Sequence, residues 1–303
     1  MFAGQLPILF QTNKANAEAL SQNSAFELPC NRNCLPNTNS DSISLARALD
    51  IPYLWVDRFC IVQDDLVAKP RQLASMASVY SNAYVTIAAT EGEDSNYGLP
   101  GISKERLRAS SYLKLSFSPD CHYIAADPVL SGEPHTTYHT RGWIFQEWSF
   151  SRRTIVFHQQ TVSWVCQILL QREDSNHLYS ISRRLTRHVW EGWPNIPAYC
   201  HAVERYSQRK LSQLEDVLAA FNGFMTIEGC VMEGDINFGI LELFFDRVLC
   251  WRHDVRSLQH RRTDLEGNIL KDFPSWSWAG WFGSLDMSLA RAAGEAAIRR
   301  YIT

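Results

Sequence analysis

Tyr53-Leu54-Trp55-Val56-Asp57, with the downstream run Tyr84-Val85-Thr86-Ile87-Ala88-Ala89, is the stretch whose reading decides the fold. Four apolar residues that end at a charge have the pattern of a strand buried on both faces of a parallel sheet. Between the two runs, Leu73, Met76, Ala77 and Tyr80 recur at i, i+3, i+4 and i+7, the apolar face of a helix, and Pro70 suits its first turn. Ser81-Asn82 ends that helix, and the run at 84–89 reads as a second strand before an acidic loop at 91–98. Upstream, Ser40 or Asp41 is placed to cap a short helix through Ile43, Ala46 and Leu49, stopped by Asp50, Ile51 and Pro52. Helix, strand, helix, strand predicts an α/β fold.

Outward from this centre, residues 11–41 are rich in Asn and Ser and read as an irregular connection. From about Leu113 short β-like pieces alternate with Pro and Gly, until a compact segment at 141–153 whose end reads as a border. The expected domains are therefore 1–153 and a mixed α+β region at 154–303. Thr154–His158 and Thr161–Cys166 flank Gln159-Gln160 at hairpin spacing, although the Asn-Gly or Asp-Gly turn chemistry is absent. Residues 199–225 and 287–302 read as helical.

Charge and composition exclude several function classes. Lys plus Arg total 29 against 32 for Asp plus Glu, a net charge of -3, so no global attraction draws the chain to nucleic acid or an anionic membrane. No apolar run approaches the length of about 18 residues that spans a bilayer, and MFAGQLPILF lacks the basic n-region and cleavage site of a leader. A soluble, cytoplasmic protein is expected. The 8 cysteines lack paired C-x2-C spacing, and Cys30-x3-Cys34 is not a redox spacing, so most are expected to be reduced and buried. His135 and His139 stand at i, i+4, but Pro134 precedes them and no third ligand is evident, so no metal site is expected. Dinucleotide-binding, Walker and nucleophile-elbow glycine motifs are all absent.

Two places concentrate chemistry. Asp57 falls at the carboxyl end of the expected first strand, where open α/β sheets bind ligands; the alternative is a capping residue or a partner of Arg58. Asp64 and Asp65 follow it and could meet a cation or begin the next helix. Arg141-Gly142-Trp143-Ile144-Phe145-Gln146-Glu147 joins a guanidinium, an aromatic platform and a carboxylate. Arg141, Trp143, Gln146 and Glu147 could thus hold a nucleotide, with Glu147 stabilising positive charge at a ribosyl carbon. Equally, Arg141 and Glu147 could close a structural salt bridge. A third aromatic block, Phe273 to Trp281, places Trp276 and Trp278 on one side if extended, facing core or a stacked ring.

YLWVDRFCIVQDD at 53–65, MASVYSNAYVTIAA at 76–89, RGWIFQE at 141–147 with SRR at 151–153, and FPSWSWAGW at 273–281 together resemble the fungal heterokaryon incompatibility (HET) domain. The resemblance covers roughly 15–153, more loosely to about 282. It implies self/non-self recognition and regulated cell death, through a protein partner or self-association. It also implies distant kinship with Toll/interleukin receptor (TIR) domains, hence a flavodoxin-like parallel sheet. Some TIR domains cleave NAD, which makes Asp57 and Glu147 candidate catalytic residues, with NAD a substrate and no resident cofactor. The family's opening Ser-Tyr-x-Trp-Gly strand has no counterpart before Thr12-Asn13, so the sheet is expected to be incomplete at its first strand.

Overall fold

The computed structural model describes residues 10–103, 112–118, 121–126, 136–158, 161–175, 178–180, 195–231, 235–255, 260–264 and 266–292. The chain divides into two compact units, each assembled from separated stretches. The first takes Met1–Leu73, Ile87–Val129 and Val156–Ser163, and the second Ala74–Thr86, Leu130–Ile155 and Trp164–Thr303.

In the first unit, helices α1 (Ala17–Leu20), α2 (Pro29–Arg32), α3 (Asn37–Ala48), α4 (Asp57–Cys60) and α5 (Ala68–Ala74) follow in order. Helix α3 starts at Asn37, earlier than the expected cap at Ser40 or Asp41. Asp41 lies inside the helix, buried, and its Oδ2 accepts the Leu99 N–H at 2.7 Å. Asn37 Nδ2 donates to Asn96 O at 2.7 Å and the Thr38 amide to Ser95 O at 2.9 Å, so the first turn of α3 is a clamp on loop 95–99. Gly98 makes this approach possible: its φ is +84°, and a Cβ there would stand 2.8 Å from Asp41 Oδ2. The far end of α3 closes with Asp50 in the left-handed region, the Asp50 amide on Arg47 O and the Ile51 amide on Ala46 O, a Schellman ending.

Residues 53–56 are not a sheet strand, which corrects the expectation that decided the α/β reading. The segment is extended, but its ends are pinned locally. The Ile51 amide is used by α3, Val56 N donates to Cys60 Sγ, and Val56 O receives the Phe59 and Cys60 amides. Pro52 offers no donor and Tyr53 is 88% exposed, so no ladder forms around this run and it is not buried on two faces. The single helix expected from Pro70 onward is two, α5 and α6 (Met76–Asn82), parted at Ser75, whose φ -90° and ψ 0° leave the helical region.

Strands β1 (Thr86–Ala89), β4 (Arg153–His158), β5 (Thr161–Cys166), β6 (Leu169–Arg172) and β7 (Leu178–Ser180) form a five-stranded sheet in that order. The hairpin expected from 154–158 and 161–166 is present as β4 and β5. Connections this short, at 159–160, 167–168 and 173–177, permit only antiparallel neighbours, and β6 and β7 pair Leu169 with Ser180. Against β1 the direction is different. Thr86 Oγ1 meets Ser151 Oγ at 2.7 Å and the Thr90 amide donates to Phe157 O at 3.1 Å, so both chains advance together and β1 runs parallel to β4. The expected wholly parallel, flavodoxin-like sheet is thus replaced by one parallel pair extended by an antiparallel meander. The border expected at 153/154 falls within β4. A separate hairpin joins β2 (Tyr112–Ser118) to β3 (Cys121–Ala126) antiparallel.

The second unit gathers α6, α7 (Thr137–Thr140), α8 (Ile144–Phe150), α9 (Ile196–Ser207), α10 (Asn222–Val231) and α11 (Phe245–Val248). Asn195 Oδ1 caps α9 by accepting the Ala198 amide at 2.9 Å, and Pro197 occupies its first turn. Small ribbons complete it: β8 (Ile236–Asn237) with β9 (Ile240–Leu241), β10 (Arg252–His253) with β13 (Leu285–Asp286), and β11 (His260–Arg261) with β12 (Trp281–Phe282). Its core is aromatic: Phe145, Tyr199, Tyr206, Phe221, Phe224 and Trp278 are essentially inaccessible. Burying each large side chain stabilises the unit by about 1.5–3 kcal/mol. Trp278 is also hydrogen-bonded, its Nε1 donating to Tyr199 Oη at 2.9 Å and to Gly239 O at 3.1 Å, while Tyr199 donates to the same Gly239 O.

The PSWSW block is not extended. The Ser277 amide returns to Pro274 O and a 3-10 turn follows at Trp278–Gly280. A turn sends alternate residues to different environments, so Trp278 is buried and Trp276 is 37% exposed, which corrects their expected placement on one side.

Candidate functional site

Three of the candidate residues lie in the first unit. Asp57 opens α4, exposed, with Oδ1 on the Arg58 amide at 2.7 Å; Gln63 Nε2 reaches its carbonyl at 3.0 Å. The Asp57 carboxylate thus fastens the adjoining Arg58 amide rather than the Arg58 guanidinium, and the cap position of α4 belongs to Val56. Asp64 Oδ1 accepts the Lys14 amide at 2.8 Å. Asp65 Oδ1 caps α5 by accepting the Val67 and Ala68 amides at 3.0 Å each, with Lys14 Nζ 3.8 Å away. The Ala68 and Val67 amides hold its carboxyl below the ordinary carboxylate range. A clamp that sequence reasoning missed sits beside them. The Thr12 amide donates to Arg58 O, Thr12 Oγ1 to Phe59 O at 2.8 Å, and the Gln63 amide to Thr12 O, so residues 12–14 tie down loop 57–65. Phe10 and Phe26 pack on Phe59, at 5.8 and 5.1 Å between ring centres.

The other four lie in the second unit. Arg141 is exposed at the end of α7, and its side chain forms no ion pair among the described residues, so the Arg141–Glu147 bridge weighed from the sequence is not made. Its backbone carries the contact instead: the Gly142 amide donates to Lys210 O at 2.7 Å, the Lys210 amide to Thr140 O at 2.6 Å, and Arg209 Nη1 to Arg141 O at 3.3 Å. Gly142 is required because a Cβ would lie 2.3 Å from Leu211 Cδ2. Trp143 is half-buried against the aromatic core as α8 begins. Gln146, only 1% exposed, donates Nε2 to Ala219 O at 2.9 Å, while its buried Oε1 receives no donor. Glu147 is half-buried, and its carbonyl accepts Ser151 Oγ at 2.6 Å.

Within this run the apolar and amide side chains face inward. Phe145 stacks on Phe221 at 5.5 Å and 25°, with Arg209 Cζ 5.4 Å over its ring. Gly223 admits α10 closely, since a Cβ there would come within 2.4 Å of Ala77 Cβ and 2.6 Å of Gln146 Oε1. Arg141 and Gln146 therefore do not project together: one is exposed and the other is locked into the core. His139 is buried with Nδ1 2.9 Å from Thr136 Oγ1, between the rings of Tyr138 and Trp148, while His135 lies outside the described residues. No cluster of metal-ligating side chains occurs among the described residues.

Residues 10–147 span the clamp at Thr12, the loop at 57–65, β1 and the start of α8, and this interval matches the family model described as Heterokaryon incompatibility protein (HET). The chain carries a heterokaryon incompatibility domain. The matched interval closes at Glu147, in the middle of α8, so the last helix of the HET match continues into the core of the second unit. Curated proteins and solved structures yielded no match. No helix among the described residues is long and apolar enough to cross a membrane.

Proposed function

We propose that this HET protein is a cytoplasmic signalling component of fungal self/non-self recognition that triggers regulated cell death by docking a protein partner or a second copy of itself. The family match over 10–147 carries the reading. The use of the candidate residues supports association over catalysis. Asp57 fastens the Arg58 amide, Asp65 caps α5, Asp64 fastens the Lys14 backbone, and Gln146 is a core residue.

The test is inducible expression of the full chain in a filamentous fungus, scored for viability and total NAD. Death with NAD unchanged, retained in Asp57→Asn and Glu147→Gln variants, is the expected result. Survival at expression levels matched to a lethal HET control overturns the proposal. NAD loss abolished by either substitution would instead assign a nucleotide-cleaving, TIR-like activity with those two carboxylates at its centre.

A further inference from the structure

The two-residue turn between β8 and β9, Phe238-Gly239, has both residues in the left-handed region, at φ 48° and 84°. Such turns favour Asn-Gly, because a bulky side chain is strained at the first position. The turn backbone is nevertheless held firmly. Ser277 Oγ donates to Phe238 O at 2.7 Å, and Tyr199 and Trp278 both donate to Gly239 O. What the strain achieves is placement of the Phe238 ring at the surface, 43% exposed, 5.7 Å from Trp276 at an interplanar angle of 83°. Trp276 in turn stands 5.4 Å from Phe245 at 70°. The three rings make a partly exposed corner of near-perpendicular walls. Strained backbone of this kind persists where the presented group has a use.

The charge of the same segment identifies the occupant, and Trp276, whose indole N–H donates to no described residue while those of Trp251, Trp278 and Trp281 are all engaged within the unit, reports on what enters the corner. Segment 235–246 carries exposed Asp235, Glu242 and Asp246 and no Lys or Arg. The neighbouring guanidiniums are already placed over other rings, Arg247 over Phe244 at 5.7 Å and Arg261 over Trp281 at 5.3 Å. Exposed aromatic rings carried on a segment whose charged side chains are all carboxylates attract a cation. We infer that the Phe238–Trp276–Phe245 corner is a docking surface for an arginine or lysine side chain of a protein partner. This stands on the geometry of the second unit and does not depend on the incompatibility role.

The experiment titrates the full chain with the peptide Ac-Gly-Arg-Gly-Arg-Gly-NH2 and with its citrulline counterpart, following the Trp276 side-chain N–H resonance assigned with Trp276→Ala. A saturable shift with the arginine peptide, about tenfold or more weaker with citrulline, is expected. Phe238→Asn should lose the response while melting at the parent temperature or above it, since Asn-Gly suits the turn. Equal responses to the two peptides, or no saturable response, overturn the inference. So does a lower melting temperature in Phe238→Asn, which would make the ring a packing element.

Discussion

Gln146 donates its side-chain N–H to the carbonyl of Ala219 across 73 residues of sequence, at 2.9 Å, and thereby ties the end of the HET match to the core of the second unit. The contact is tight because Gly223 lacks a side chain beside it. Gly223→Ala should therefore destabilise the protein by about 1–3 kcal/mol through overpacking, and Gln146→Ala by about 1–3 kcal/mol by leaving Ala219 O unpaired. Urea denaturation of both variants measures the effect, and a loss under 0.5 kcal/mol in each, on the order of a surface change, would show that the contact does not hold the helices together.

The two tryptophans of PSWSW should part company on truncation. Trp278→Ala removes a fully buried, hydrogen-bonded ring and is expected to cost about 3–5 kcal/mol. Trp276→Ala, at a partly exposed position, should cost about 1 kcal/mol or less. Paired chemical melts decide the matter, and equal losses would contradict the different burial of the two rings.

Glu204 gives the second unit a pH dependence. Burial raises its pKa, but the bonds from His201, the Met287 amide at 2.9 Å and Arg291 outweigh that and hold it below the ordinary 4.5. A depressed carboxyl contributes stability that is fully present above pH 4.5 and is lost as the pH falls through the lower folded value. The parent should therefore exceed Glu204→Gln in melting temperature at pH 7, with the gap closing below pH 4.5. A gap that stays constant down to pH 3, roughly 1.5 units below an ordinary glutamate pKa, would remove Glu204 from the linkage.

Arg262 is 1% exposed, with Nε on Ala279 O at 3.1 Å and both Nη atoms lacking hydrogen-bond partners; burial pushes its pKa down. That one hydrogen bond and the Phe282 ring, 5.6 Å from Cζ, compensate the buried charge only in part, so Arg262→Met is expected to be neutral or stabilising, by about 0–2 kcal/mol. Calorimetry checks the sign, and a loss of roughly 3 kcal/mol, as for a broken buried ion pair, would mean that the guanidinium is compensated.

Thiol reactivity should follow burial. Against the expectation that most cysteines are buried, Cys30, Cys34, Cys60 and Cys250 are exposed, whereas Cys200 is enclosed and burial pushes its thiol up to about 12. Iodoacetamide at pH 8 should modify the exposed set in the native protein and Cys200 only after unfolding, as read by peptide mass spectrometry. Early labelling of Cys200 would show that α9 opens locally.

The local patterns were legible before any contact was known. The apolar face of Met76, Ala77 and Tyr80 is helical, the runs flanking Gln159-Gln160 pair as a hairpin, and the four motif blocks led to the HET family now matched over 10–147. The candidate site was legible only as a set of residue types. Asp57 and Asp65 read from sequence either as ligand-binding carboxylates or as residues of a helix start, and only the structure shows which backbone amides they hold, Arg58 for the first and Val67 and Ala68 for the second.

Sequence alone determined what depends on neighbours along the chain: helix periodicity, hairpin spacing, the aromatic richness of the core and the family motifs. Tertiary structure alone decided that 53–56 lies outside the sheet, that β1 meets β4 in parallel, that Trp276 is exposed while Trp278 is buried, and that Gln146 binds Ala219. An apolar run becomes a strand only when other segments supply its backbone donors and acceptors, and a polar side chain becomes a cap, a core bond or a free ligand group according to what distant residues bring to it. Those partners lie tens of residues away, beyond the reach of any local pattern.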